Sequence, residues 1–225
     1  MAGKHVLDDA AVQAVLEREH ANAKGDSAKL AAARPQIDAA KAGGAGFGDI
    51  SDLYPKDTYL AVEPDMGRFL YLSICMSGAK RIVEFGSSYG ISTLYLAAGA
   101  RETGGRVIGS EMQPAKVVRA RTNLEEAGLL GHVDLREGDA LETLSDVEGP
   151  VDLLFLDGWK DLYLPVLRMM EAKLRPGALV LADNIFSFPD DLKDYVDAVS
   201  APGGNYRSMV VPFESGLGYS HYLGS

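Results

Sequence analysis

Cysteine is almost missing from this 225-residue chain: Cys75 is the only one, so no internal disulfide can form, and its apolar helical surroundings mark a core thiol rather than a nucleophile. The four histidines, His5, His20, His132 and His221, lack metal-ligand spacing, which argues against a zinc site. No apolar run approaches the roughly 20 residues of a membrane span, and residues 1–9 lack the apolar core of a secretory leader; the expected compartment is the cytoplasm. Positive charge is in deficit. With 22 Lys and Arg against 32 Asp and Glu the net charge is -10, which disfavours a nucleic-acid surface and leaves a small molecule or a protein as partner.

What is present is 47% hydrophobic and 24% charged residues, enough for one α/β domain with a sizeable core. The most informative stretch is Arg81-Ile-Val-Glu-Phe-Gly-Ser-Ser-Tyr-Gly-Ile-Ser92. Ile82, Val83 and Phe85 form a run too short for a helix and rich in β-formers, as in a strand buried on both faces. Glu84 interrupts it near its end. A carboxylate there is costly unless paired, and the carboxyl ends of parallel strands are where open α/β sheets bind ligands. Gly86 and Gly90 allow close backbone approach, and a helix resumes at Ile91 with its first amides facing the same crevice. The G-x-G-x-x-G of dinucleotide folds is absent; the order is Glu84-x-Gly86-x-x-x-Gly90. Pyrophosphate requires bare amides, whereas an acid at the strand end suits a ligand bearing an ammonium group, such as S-adenosylmethionine (SAM). A strand, turn and helix without a ligand is the alternative.

The chain before this motif reads as helical. Residues 8–20 place Val12, Val15 and Leu16 on one stripe with Asp8 or Asp9 as cap; residues 27–41 are alanine-rich, with Pro35 expected to kink or split them. Residues 1–48 are assigned to accessory helices and a flexible connector, Gly43-Gly-Ala-Gly-Phe-Gly48, that cover residues 49–225 or meet a second subunit in a homodimer. No strand precedes that glycine run, so it is not a phosphate loop. Residues 59–77 form a loop entering a helix, with Pro64 in its first turn. Residues 106–110 form a second strand ended by Glu111, and a helix follows over 114–127. An acid at that position holds a ribose diol in doubly wound folds, unless it is an ordinary strand-end carboxylate. Residues 132–136 are a third strand. Asp139 after it, beside Ala140, is an N-cap or a partner for an adenine amino group. Residues 151–156 are the fourth strand, a helix over 161–174 closes at Arg175-Pro-Gly177, and residues 178–181 are the fifth strand. This alternation specifies an α/β fold with a doubly wound, mostly parallel sheet. Strands at 206–211 and 218–223 complete seven, as an antiparallel C-terminal hairpin at the sheet edge.

Asp157, Asp183 and Asn184 are hard oxygen donors just past two successive strands, and on neighbouring strands about 4.8 Å apart they would reach one ion. Mg2+ suits such a set and keeps positions for a substrate. Lys160, shortly after Asp157, is either a base or a solvated lysine pairing with Asp161 or Glu171.

Over residues 60–187 these stretches resemble the class I SAM-dependent methyltransferases, and within them the catechol O-methyltransferase group. Leu60-Ala-Val-Glu-Pro-Asp-Met-Gly-Arg68 looks like the family's segment before the first strand, and Glu84-Phe-Gly-Ser-Ser-Tyr-Gly-Ile-Ser92 like its first SAM motif. The resemblance implies a Rossmann-like methyltransferase fold in which Val62, Gly86 and Ser92 contact the methionine part of SAM, Glu111 holds the ribose, and Met112 and Trp159 pack on adenine. Glu84, Asp139, Ala140 and Asp157 complete the expected cofactor contacts. Asp157-Gly-Trp-Lys-Asp-Leu-Tyr163 resembles the stretch with the first metal ligand and the catalytic lysine, and Ala182-Asp-Asn184 the other two ligands. Acceptor contacts fall to Leu60, Lys160, Asn184 and, by spacing alone, Glu214. One departure stands out, Gly158 in place of a histidine usual in catechol enzymes; the related caffeoyl-CoA enzymes have an acid where Trp159 stands, so the resemblance is closer to the catechol kind.

The implied chemistry is methyl transfer to a small aromatic acceptor with two vicinal hydroxyls. A free phenol, with a pKa near ~10, is a poor nucleophile at neutral pH. Lys160, neutralised by burial, would take its proton, and a Mg2+ on Asp157, Asp183 and Asn184 would stabilise the phenolate. A metal-independent SAM methyltransferase, a nicotinamide dehydrogenase and a non-catalytic SAM-binding module are the rival readings. Neither nucleic acid nor membrane is expected as a partner.

Overall fold

Short β-rich runs become seven strands: β1 Arg81–Phe85, β2 Arg106–Glu111, β3 Val133–Glu137, β4 Val151–Leu156, β5 Leu174–Ala182, β6 Tyr206–Val211 and β7 Leu217–Tyr222. In the computed structural model, which describes residues 5–224, they form one sheet in the order β3-β2-β1-β4-β5-β7-β6. The first five are parallel, and β7 runs antiparallel to both β5 and β6. This is the doubly wound, mostly parallel seven-stranded sheet with a C-terminal hairpin at its edge. Strand order reverses between β1 and β4, which opens a crevice at their carboxyl ends.

The helices are α1 Ala10–Ala23, α2 Asp26–Ala42, α3 Phe47–Ile50, α4 Pro64–Ser77, α5 Ile91–Thr103, α6 Pro114–Glu126, α7 Ala140–Thr143, α8 Tyr163–Glu171 and α9 Lys193–Ser200. One sheet face packs on α1, α4, α5 and α6 through residues such as Val12, Leu70, Leu94 and Val117. The other packs on α7, α8 and α9 through Leu144, Val166 and Tyr195. Helices on both faces explain why β1 and β4 are nearly continuous apolar runs. Leu70 and Ile74 on α4 are fully buried, each worth about 1.5–3 kcal/mol of transfer free energy. Gly67 lets α4 approach α5, since a Cβ there would lie 2.2 Å from the Tyr95 ring.

Three expectations are corrected. Pro35 does not split α2, which runs unbroken from Asp26 to Ala42; the carbonyl of Ala31, which loses its helical partner, belongs to an exposed residue that water can reach. The segment read as the end of a helix and a turn, Leu174 to Gly177, is the start of β5, because Leu174 pairs with Val151 across a register shift, while α8 ends at Glu171. The glycine connector ends in the short α3, and α9 was not foreseen. Val12, Val15 and Leu16 of α1 join the main core. No helix among the described residues is long and apolar enough to cross a membrane.

Candidate active site

The carboxyl ends of the parallel strands open onto a cleft of about 1000 Å³, walled on the far side by α2 through Leu30, Arg34 and Ile37. Gly86 makes the junction of β1 and β4 possible. Its φ is +93°, and a Cβ there would lie 2.5 Å from the carbonyl oxygen of Asp157. Val62, Ser92 and Leu60 also line the cleft. Glu84 does not, which corrects its expected pairing with an ammonium group: it is fully buried, and its carboxylate accepts from the hydroxyls of Ser87, Ser92 and Thr93, each at 2.6 Å. Burial pushes its carboxyl up, against those three hydroxyls. Glu84 therefore ties the glycine loop to the first turn of α5.

At the end of β2, Glu111 lines the cleft with both oxygens oriented by backbone amides, Oε2 by Ser88 N and Oε1 by Gln113 N, each at 2.8 Å. Met112 beside it is half exposed. Asp139 is the N-cap of α7, accepting from Leu141 N at 2.8 Å, with Ala140 buried next to it, and both line the cleft. Trp159 also lines it; its indole packs against the Ile37 and Ile50 cluster and sits 5.6 Å from the Tyr54 ring.

Asp157, Lys160, Asp183 and Asn184 converge on the same cleft. Lys160 is 7% exposed, donates to Gly158 O and to Tyr163 Oη at 2.9 Å each, and lies 3.7 Å from Asp157 Oδ1. It is not a solvated lysine at a helix start. Burial holds its ammonium below the ordinary lysine range, against the pull of Asp157 and Asp183. Tyr163 Oη donates to Asp183 O at 3.2 Å, and Asp183 Oδ1 accepts from Ser215 Oγ and Asn184 N at 2.6 Å each. Burial, then the charge of Asp183, pushes the Asp157 carboxyl well above the usual range, and burial also raises Asp183. Among the described residues no three His, Cys, Asp or Glu side chains form a metal cluster. The donors here are two carboxylates and an amide. Such an oxygen-only set fits a hard divalent cation, which would relieve the repulsion between the two acids.

Residues 83–185 match a family described as a methyltransferase domain. The catechol O-methyltransferase of Mycobacterium tuberculosis is 37% identical over 145 residues, 63% of this chain and 66% of that protein. The catechol O-methyltransferase of Niastella koreensis is 35% identical over 130 residues, 56% of this chain and 58% of that protein. Both matches span less than two thirds of the relative. An O-methyltransferase from Bacillus cereus in complex with SAH superimposes with a TM-score of 0.67 at 26% identity, covering 77% of this chain and 94% of that one. A cofactor-bound protein from MTB gives 0.69 at 27%, covering 89% and 92%. Residues 83–185 thus match a methyltransferase domain, on a fold shared with solved O-methyltransferases. Glu214 is exposed and is not among the residues that line the cleft, whereas Glu63, whose carboxyl is raised by burial and then by Glu214, does line it.

Three residues of the site were missed from sequence. Tyr163 was recognisable, since it follows Lys160 at helical spacing. Lys116 is buried to 5% exposure and donates to Ser88 Oγ at 3.2 Å, with burial lowering its pKa; a lone lysine in an amphipathic helix carries no sequence signal of this. Asp26 reaches the cleft from α2, far away in sequence. Leu60, Ser88 and Asn184, the non-glycine residues with positive φ among those described, all line the cleft, so backbone strain is concentrated at this site.

Proposed function

We propose that this methyltransferase moves the methyl group of SAM to one hydroxyl of a small aromatic acceptor bearing two vicinal hydroxyls. The observation that carries the reading is the convergence of a buried lysine, two acids and an amide on the cleft that also holds Glu111 and the glycine loop. The names of the catechol O-methyltransferase relatives support the acceptor class. Glu111 would accept the ribose hydroxyls through the lone pairs that Ser88 N and Gln113 N leave free. Asp157, Asp183 and Asn184 would hold a divalent cation, Mg2+ by donor type, which supplies Lewis acidity toward the paired acceptor oxygens.

Lys160 acts as general base. In its neutral form Nζ takes the proton of one acceptor hydroxyl; an oxygen lone pair then forms the bond to the methyl carbon as the S–C bond breaks and its electrons stay on sulfur, releasing SAH. Tyr163 Oη and Gly158 O fix where Nζ sits, so the base is held rather than recruited. Leu60, Asn184 and the Trp159 wall would bound the acceptor, and such positioning is worth effective molarities of about 10⁵ M or more.

The test is methyl transfer over a series of vicinal-diol aromatics and their monohydroxy analogues, with Mg2+ and with EDTA. The reading predicts turnover of the diols alone, abolished by EDTA. Full activity in EDTA leaves a metal-independent methyltransferase in its place. Thermal stabilisation by NAD and none by SAM removes the cofactor assignment.

A further inference from the structure

We infer that Asp26, at the start of α2, is a positioning residue of the cofactor site that clamps the strained Tyr59–Leu60 backbone against the glycine loop. This rests on the SAM-dependent reading above. Asp26 is 8% exposed and lines the cleft. Its Oδ2 accepts from two consecutive backbone amides, Tyr59 N at 2.6 Å and Leu60 N at 2.8 Å. The N-cap of α2 is Gly25, which has no side chain, and Asp26 is the first helical residue. Its carboxylate reaches across to the Tyr59–Leu60 backbone, thirty-three and thirty-four residues along the chain. Its second oxygen, Oδ1, is buried without a hydrogen-bond partner among the described residues, so the arrangement is not one of general polar satisfaction.

The dipeptide needs holding. Leu60 has φ +49°, a left-handed conformation that costs a leucine free energy and persists only where its surroundings enforce it. The restraint comes from both sides. While Asp26 takes the two amides, Ser88 Oγ donates to Tyr59 O at 2.7 Å, and Ser88, itself at φ +46°, donates its own amide to Glu111. The Tyr59 ring stacks on Tyr89 of the same loop, with centroids 4.2 Å apart. A continuous chain of contacts thus links α2 through Tyr59–Leu60 to the loop and to the carboxylate at the end of β2. Leu60 and Val62, on the held segment, face the cleft. On this reading the N-terminal helix sets the backbone against which the cofactor lies, and it is not a detachable cover.

Two substitutions separate this role from general packing. Asp26→Asn keeps an oxygen able to accept both amides, whereas Asp26→Ala keeps none. Calorimetric titration of the full chain with SAH is expected to show affinity weakened about 10- to 100-fold in Asp26→Ala and restored to within about threefold of wild type in Asp26→Asn. With both substrates saturating, kcat of Asp26→Ala should stay within about threefold, because Lys160 is untouched, so the loss appears in KM. Wild-type affinity in Asp26→Ala overturns the inference, and so does Asp26→Asn binding as weakly as Asp26→Ala. Should Asp26→Ala not fold, hydrogen exchange of the wild-type protein decides: slow Tyr59 and Leu60 amides that slow further with SAH support the clamp, and amides exchanging as fast as those of open loops refute it. A wild-type protein that fails to bind SAH at all refutes the cofactor reading instead, and amide exchange then judges the clamp alone.

Discussion

A Cβ placed on Gly158 would lie 2.3 Å from Cζ of Phe85, so the ring at the end of β1 occupies the space that any side chain at position 158 needs. Phe85 also meets Tyr163 edge-on, with centroids 6.2 Å apart, and so supports the loop that carries Asp157 and Lys160. The Phe85 ring thus fills the room that a larger residue at position 158 would take. Gly158→Ala should destabilise the protein by about 1–3 kcal/mol through overpacking. Combining it with Phe85→Leu should recover a coupling of at least ~0.5 kcal/mol in urea denaturation. Strictly additive losses would show that the two positions do not compete.

Glu84 is predicted to matter for stability first. Glu84→Ala strands the hydroxyls of Ser87, Ser92 and Thr93 in a buried site, at a cost of about 3 kcal/mol or more in total. Glu84→Gln, which can still meet them, should lose less. The pH dependence has a definite sign. Burial raises the Glu84 carboxyl in the folded state, so its contribution is fully present below the unfolded value of about 4.3 and is lost as pH rises through the folded one. The stability of wild type relative to Glu84→Gln should therefore fall as pH rises from about 4.3. A pH-independent difference in denaturation midpoints would contradict this.

Much of the architecture was legible because β-branched runs, Pro64 and Pro114 in first helical turns, and the repeated strand-helix order all point one way. The misreadings have physical causes. Pro176 and Gly177 carry turn chemistry, but pairing of Leu174 with Val151 extends β5 through them. For α9 the signal was available, with Tyr195 and Val199 buried at helical spacing. In the site, strand-end positions gave Glu111, Asp157, Asp183 and Asn184 a common cleft, yet the rotation of Glu84 toward α5 depends on hydroxyls that no strand pattern reveals. The grip of Asp26 on Tyr59 and Leu60 crosses more than thirty residues, beyond any local pattern.

Asp183→Ala tests the metal donors. Removing one of two carboxylates should raise the Mg2+ concentration required for half-maximal transfer by about tenfold or more, while SAH affinity stays near wild type. An unchanged Mg2+ requirement would take Asp183 out of the ligand set.

The central claim is that a lysine held in the cleft by Gly158 and Tyr163 takes the acceptor proton during methyl transfer from SAM. Its most direct test is a single-turnover reaction of methyl-labelled SAM with a vicinal-diol aromatic, enzyme and Mg2+ in excess, for wild type and Lys160→Met across pH. Wild type should yield labelled methyl ether and SAH one to one. Lys160→Met should bind SAH normally, react about 10²- to 10⁴-fold more slowly at neutral pH, and recover part of that rate as pH rises and the acceptor ionises by itself. A Lys160→Met protein as fast as wild type at neutral pH, or wild type that transfers no label to any diol, would contradict the account.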